Sequence, residues 1–188
     1  LWLSSRSGLT RFDPRTEVFH NLVYDSSFSE ISSLNIHKTL PLPNNKLLIF
    51  SRLNGPQLFL LHTNPDGSEK SVENITSVLR LESPDSMLRA VDVSIDQRGQ
   101  VWICDFKQGI FKLDIIGKSL SKLDLYDSDR KKLSYSESFH RIYHEKEGQL
   151  WVAGLGALIQ VNSSTGESKL YPIRHEGKPV FILDGAFQ

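Results

Sequence analysis

Disulfides, membrane spans and a surplus of charge of either sign are all missing from this 188-residue sequence. A single cysteine, Cys104, excludes an internal disulfide but says little about compartment, because a secreted chain can simply avoid cysteine. Lys plus Arg number 22 and Asp plus Glu number 22, so the formal net charge is zero. That balance argues against a nucleic-acid-binding domain, which carries a basic excess. No apolar run approaches the roughly 18 residues that a membrane span needs. The N-terminus, Leu1-Trp2-Leu3-Ser4-Ser5, has no basic region and no hydrophobic region, and so reads as a segment without a signal peptide. Gly-x-Ser-x-Gly and the phosphate-binding Gly-x-x-x-x-Gly-Lys-Ser/Thr are absent. No stretch sustains a helical period with caps, so little helix is expected. What remains is a folded globular composition, 39% hydrophobic and 23% charged, long enough for one domain or two small ones.

The sequence does contain a repeat. Leu1-Trp2-Leu3, Val101-Trp102-Ile103 and Leu150-Trp151-Val152 each precede a short glycine-bearing gap and an apolar-x-x-apolar-Asp/Asn run that ends at Asp13, Asp114 and Asn162. A degenerate copy runs from Leu47 to His62, with Leu48 in the Trp position and Pro41, Pro43 and Pro56 around it. Spacings of roughly 46 to 54 residues, with several short strands in each, point to propeller blades. Around Trp102 the runs are 90–95, 101–104, 110–114 and 120–125, with turns at 96–99 and at Gly117. Around Trp151 they are 139–144, 150–153, 158–162 and 168–171. The expected architecture is all-β, a propeller segment of about four blades, each a four-stranded antiparallel sheet. It divides as a partial blade 1–34, blades 35–82, 88–126 and 138–172, and the start of another at 179–188. A closed four-blade ring, a half ring and an arc completed by a partner all fit this count.

The pattern resembles the two-component regulator propeller repeat, in which a blade reads roughly Asp-x-x-Gly-x-Leu-Trp-Ile-Gly-Thr, a short gap, then Gly-Leu-x-Arg-apolar-Asp. Asp96, Gly99, Val101, Trp102, Ile103, Gly109, Ile110, Lys112, Leu113 and Asp114 match it. So do Gly148, Leu150, Trp151, Val152, Gly154, Leu158, Val161 and Asn162, while Trp2, Leu3, Gly8, Leu9, Arg11, Phe12 and Asp13 match its second half. The resemblance implies a periplasmic, ligand-sensing part of a hybrid histidine kinase that responds to glycan-derived oligosaccharides. Sensors of that family carry seven-bladed propellers, usually two in tandem, followed by a small β-sandwich, a membrane helix and kinase modules. It also implies partnership with further blades of the same protein and a homodimer of the full-length sensor.

The candidate sites divide by chemistry. The Trp residues read as core between blades, since alternate strand positions face opposite sides. His140 and His144, four apart on a strand, lie about 13 Å apart at 3.3 Å per residue, too far for one zinc. Cys104, inside a strand, reads as inert packing. Asn74-Ile75-Thr76 and Asn162-Ser163-Ser164 are formal glycosylation sequons, and Arg130-Lys131-Lys132 reads as a solvated basic loop. No catalytic residue, metal or cofactor is expected. Nor is nucleic acid, or contact of this segment with a membrane. Any ligand would meet loops on one propeller face, the first set at 4–8, 51–57, 105–109 and 154–157, the second at 24–34, 83–88, 126–138 and 172–179. Arg6, Arg52, Asn54, Asp105, Lys107, Tyr135, Arg174 and His175 are the polar candidates there. Two other classes stay open: a propeller scaffold that only docks proteins, and a propeller hydrolase or lyase.

Overall fold

The computed structural model describes residues 1–179 except 7, 23–24, 33, 53–54, 82–86, 134–138, 146–147 and 155. Its backbone is organised as antiparallel sheets in two compact units, Leu1–Leu79 and Arg80–Gln188.

In the first unit, β1 (Trp2–Ser5), β2 (Gly8–Asp13) and β3 (Val18–Asn21) form a three-stranded sheet. β4 (Ile36–Leu42), β5 (Lys46–Ser51), β6 (Gln57–Thr63) and β7 (Glu69–Asn74) form a four-stranded one. Their shared core joins Leu9 of the first sheet to Leu47, Ile49, Phe59 and Leu61 of the second, with Trp2 packed against it. Phe28 and Ile31, from a 3₁₀ turn and a single turn of helix α1 (Ser29–Ser32), close this core. An ion pair adds a tie between the sheets: Arg11 Nε donates to Glu69 Oε1 at 2.9 Å. Pro41 is accommodated because β4 is an edge strand, where a missing N–H breaks no ladder.

In the second unit, β8 (Ala90–Ile95), β9 (Val101–Asp105), β10 (Gly109–Asp114) and β11 (Ser119–Leu123) form one four-stranded sheet. β12 (Phe139–His144), β13 (Gln149–Gly154), β14 (Ala157–Asn162) and β15 (Ser168–Pro172) form the next. A two-stranded hairpin follows, β16 (Arg174–His175) with β17 (Lys178–Pro179). Trp102, Cys104 and Ile110 on one sheet meet Ile142, Leu150, Val152, Ile159 and Val161 on the other in one buried cluster. Cys104 is fully buried there.

The repeat is visible as register. Trp2 pairs with Arg11, Leu48 with Leu60, Trp102 with Lys112 and Trp151 with Gln160, each at the same place on its second and third strands. In the three Trp-bearing repeats, the Asp or Asn that ends the strand paired with the Trp strand has a local task. Asp13 Oδ1 accepts from Arg15 N, Asp114 Oδ1 from Ile116 N and Gly117 N, and Asn162 Oδ1 from Ser164 N and Thr165 N. These side chains substitute for ladder partners where the chain turns. The Asp96 turn works the same way. Asp96 Oδ1 accepts from Arg98 N and Gln100 N, Gly99 takes φ 80°, and Asp96 Oδ2 lies 3.4 Å from Trp102 Nε1. In the next sheet Trp151 Nε1 donates to Glu145 Oε2 at 2.6 Å.

The first strand of every four-stranded sheet carries a bulge. The register jumps between Ile36 and Lys38, between Ala90 and Asp92, and between Phe139 and Arg141, so His37, Val91 and His140 are the extra residues. Two residues facing one bend the strand and raise its twist. His37 and His140 each stand edge-on to a ring, Phe50 and Phe106.

β8 and β12 are both edge strands, and they lie side by side. An edge leaves backbone donors without ladder partners. Here two side chains of β8 satisfy donors of β12: Asp92 Oδ2 accepts from Ile142 N at 3.0 Å, and Ser94 Oγ accepts from His144 N at 3.1 Å. Asp92 is 2% exposed. Its replacement by alanine strands a buried N–H, so Asp92→Ala is expected to lose about 2 kcal/mol. Asp92→Asn keeps an acceptor oxygen and should recover a large part of that. Urea unfolding of the two variants checks this, and equal losses would remove the hydrogen bond as the cause.

The pH response has a definite sign. Burial pushes the His144 imidazole below its ordinary 6.5, against a smaller pull upward from Asp96. The backbone N–H of Arg15 holds the Asp13 carboxyl below the usual range, and the Ser68 hydroxyl does so for Asp66. Each group is less readily protonated in the folded chain than in the unfolded one. Each therefore contributes stability above its unfolded pKa and loses it as pH falls through the folded value. His144 acts first, below about pH 6.5; the two aspartates act only in stronger acid. Between pH 7.5 and 5.5 the wild-type Tm is expected to drop more than that of His144→Gln. Parallel slopes in a thermal melt series would show that His144 carries none of the change.

Candidate functional site

The second unit holds a solvent-open cavity of about 180 Å³ beside the β9–β10 turn. Its wall includes Lys107, Gln108 and Gly109 of that turn, Lys122 and Leu123 of β11, and Asp124, Leu125, Lys132 and Leu133 of the loop that follows. Phe139 closes it, and Leu123, Leu125, Leu133 and Phe139 continue into the buried cluster of the unit. The cavity thus has an apolar floor and a lysine rim.

Each rim position has a cause. Asp105, the last residue of β9, is 1% exposed, and its Oδ1 accepts from Lys107 N at 2.8 Å and Gln108 N at 2.7 Å. This fixes the turn that presents Lys107. Its other oxygen, Oδ2, is buried with no hydrogen-bond partner among the described residues. Gly109 takes φ 104°, and a Cβ there would stand 3.7 Å from Lys122 Cε, so the Lys122 stem lies over the turn. The 124–133 loop is closed by its own backbone: Leu133 N donates to Leu125 O at 2.8 Å, Asp127 N to Lys131 O at 3.0 Å, and Tyr126 bridges to Lys132. Lys132 Nζ lies 2.8 Å from Asp124 Oδ1, and that carboxylate raises the ammonium pKa above the ordinary lysine value. Lys107 and Lys122 have no ion-pair partner among the described residues.

The sequence candidates are distributed as follows. Asp105 and Lys107 come together at this turn, with Asp105 as the buried support and Lys107 as the exposed rim. Arg6 and Arg52 are exposed in the first unit, next to the β1–β2 and β5–β6 connections. Arg174 and His175 are exposed on the terminal hairpin and do not line the cavity. Asn54 and Tyr135 lie outside the described residues. Sequence reasoning missed Lys122, which sits within a strand, and Lys132 was read only as part of a solvated loop.

Asn74 Oδ1 accepts from Thr76 N, so both glycosylation sequons begin with a turn-forming side chain. A second, wider cavity of about 580 Å³ is lined by Gln149, Gln160, Asn162, Ser168, Lys169 and others. It borders the sheet face where Trp151 packs on Tyr171, with ring centroids 5.6 Å apart. Among the described residues no group of three or more His, Cys, Asp or Glu could hold a metal ion, and no helix is long and apolar enough to cross a membrane.

Repeated four-stranded antiparallel sheets in matching register are blades of the β-propeller class. No family model matches the chain, and no curated protein matches it in sequence. Solved structures do. PorZ, an essential bacterial surface component of the type-IX secretion system of Porphyromonas gingivalis, is similar over 89% of this chain with TM-score 0.63 and 14% identity. The extracellular domain of a hybrid two-component system of B. thetaiotaomicron is similar over 93%, with TM-score 0.56 and 17% identity. Virginiamycin B lyase from Staphylococcus aureus, an inactive variant with quinupristin, is similar over 92%, with TM-score 0.58 and 10% identity. The chain spans 25%, 21% and 50% of those chains respectively, and at these identities the likeness is one of fold.

Proposed function

We propose that this chain is a non-enzymatic, extracytoplasmic ligand-sensing propeller segment of a two-component sensor histidine kinase, responding to a glycan-derived oligosaccharide. The observation that carries the reading is the repeat itself: a Trp that recurs in the same strand register, at Trp2, Trp102 and Trp151. The similarity to an extracellular domain of a hybrid two-component system over 93% of the chain supports it. In this reading the blades form part of a periplasmic sensor that acts as a homodimer. Ligand shifts signalling only by preferring one arrangement of that sensor over another. The test is the reading frame around this segment. A run of about 20 apolar residues followed by a kinase core is expected downstream. A frame with neither would overturn the sensor assignment.

A scaffold reading has one observation in its favour. Leu3 and Phe19 lie exposed, and Phe19 stacks on Phe12 at 4.7 Å on the same face of the three-stranded sheet. An apolar sheet face of this kind suits a docked partner or a further blade.

A further inference from the structure

The lining of the lysine-rimmed cavity carries three lysines and one aspartate, with the Asp105 carboxylate buried behind the Lys107 turn, in a protein whose net charge is zero. Lys132 is already matched by Asp124, whereas Lys107 and Lys122 are uncommitted among the described residues. Two ammonium groups beside an apolar wall of Leu123, Leu133 and Phe139 are complementary to a molecule charged at one end and carbon-rich at the other. The volume, about 180 Å³, is below the roughly 300–1,000 Å³ of sites for drug-sized ligands. It admits one charged group and the ring or short chain that bears it.

We propose that this cavity binds an oxyanion, a carboxylate or sulfate ester, carried on a small carbon frame, with Lys107 and Lys122 taking the charge and Leu123, Leu133 and Phe139 the frame. The inference rests on the ligand-binding part of the reading above, not on its kinase context. Asp105 is a positioning residue, since its carboxylate shapes the Lys107 turn from beneath. Such a site gives the sensor a preference for acidic over neutral sugars, because a neutral ring leaves both ammonium groups unmatched.

The test is an amide NMR titration of the full 188-residue chain at low ionic strength, with four probes: D-glucuronate, D-glucose 6-sulfate, D-glucose and inorganic sulfate. At least one of the two charged sugars is expected to shift the Lys107, Gln108, Leu123 and Leu133 resonances with a lower midpoint than either glucose or inorganic sulfate. Added salt should raise that midpoint. Lys107→Gln with Lys122→Gln should raise it at least tenfold, and Lys70→Gln, in the other unit, should not move it. Circular dichroism confirms that each variant is folded. Silence of both charged sugars, parity with glucose or sulfate, or an unchanged midpoint in the double variant would each overturn the proposal. None of these results bears on the reading frame, so the sensor assignment stands or falls separately.

Discussion

Trp102→Ala is expected to destabilise the second unit by about 3–5 kcal/mol, the range for deleting a large buried aromatic side chain. Trp151→Ala, at the same position of the next repeat, should cost about 1 kcal/mol. The two residues share a motif and a register but not an environment. Trp102 is 4% exposed and belongs to the cluster between the two sheets of its unit. Every residue of β9 around it is buried. Trp151 lies on the other side of its sheet, opposite Leu150 and Val152, and is only partly buried. There it rests on Tyr171, whose ring also carries Lys169 Nζ at 5.0 Å. Urea unfolding followed by circular dichroism measures both changes on one scale. Equal losses would mean that the Trp151 face is covered in solution as completely as the Trp102 face, and would count for a closed or continued propeller.

This contrast also marks how far the sequence could be read. Strand positions were legible because short β-rich runs alternate with turn residues whose chemistry is local, as at Asp96 and Gly99. The Trp spacing placed the second strands, and even the degenerate copy was legible, since Leu48 occupies the Trp register. The bulges were not, because nothing local in Ala90-Val91-Asp92 announces that two residues will face one. Nor was the task of Asp92, whose partner Ile142 is 50 residues away. The candidate site divides in the same way. Lys107 stands out in the sequence because it lies in a loop, where polar side chains are the natural ligand candidates. Lys122 was missed because it lies in β11 and reaches the cavity only through its long stem over Gly109. Asp105 was identified for its polarity, yet its burial gives it a structural task that composition cannot reveal.

Gly166→Ala is the second change expected to be severe, and its cause is likewise invisible in the sequence. Gly166 reads as an ordinary turn glycine, and with φ 73° it does need the left-handed region. That alone would cost about 1 kcal/mol. The larger effect is contact: a Cβ at this position would run into the backbone carbonyl of Asp124. The two segments are meant to be this close, since Tyr126 N donates to Gly166 O at 2.9 Å and Ser168 N to Tyr126 O at 2.8 Å. These bonds attach the 124–133 loop to the start of β15. An added methyl group must push that loop away, breaking the bonds as well as relieving the overlap, so a total loss of about 3 kcal/mol is expected. The displaced loop carries Asp124 and Lys132, both on the cavity wall. Gly166→Ala should therefore weaken binding of a charged sugar without removing any cavity residue, and it should do so even under conditions where the variant remains folded. Thermal melting and the amide titration of the same sample separate the two effects. Unchanged stability would show that the loop yields at no cost, and unchanged binding in a destabilised variant would show that the lysine rim is positioned without it.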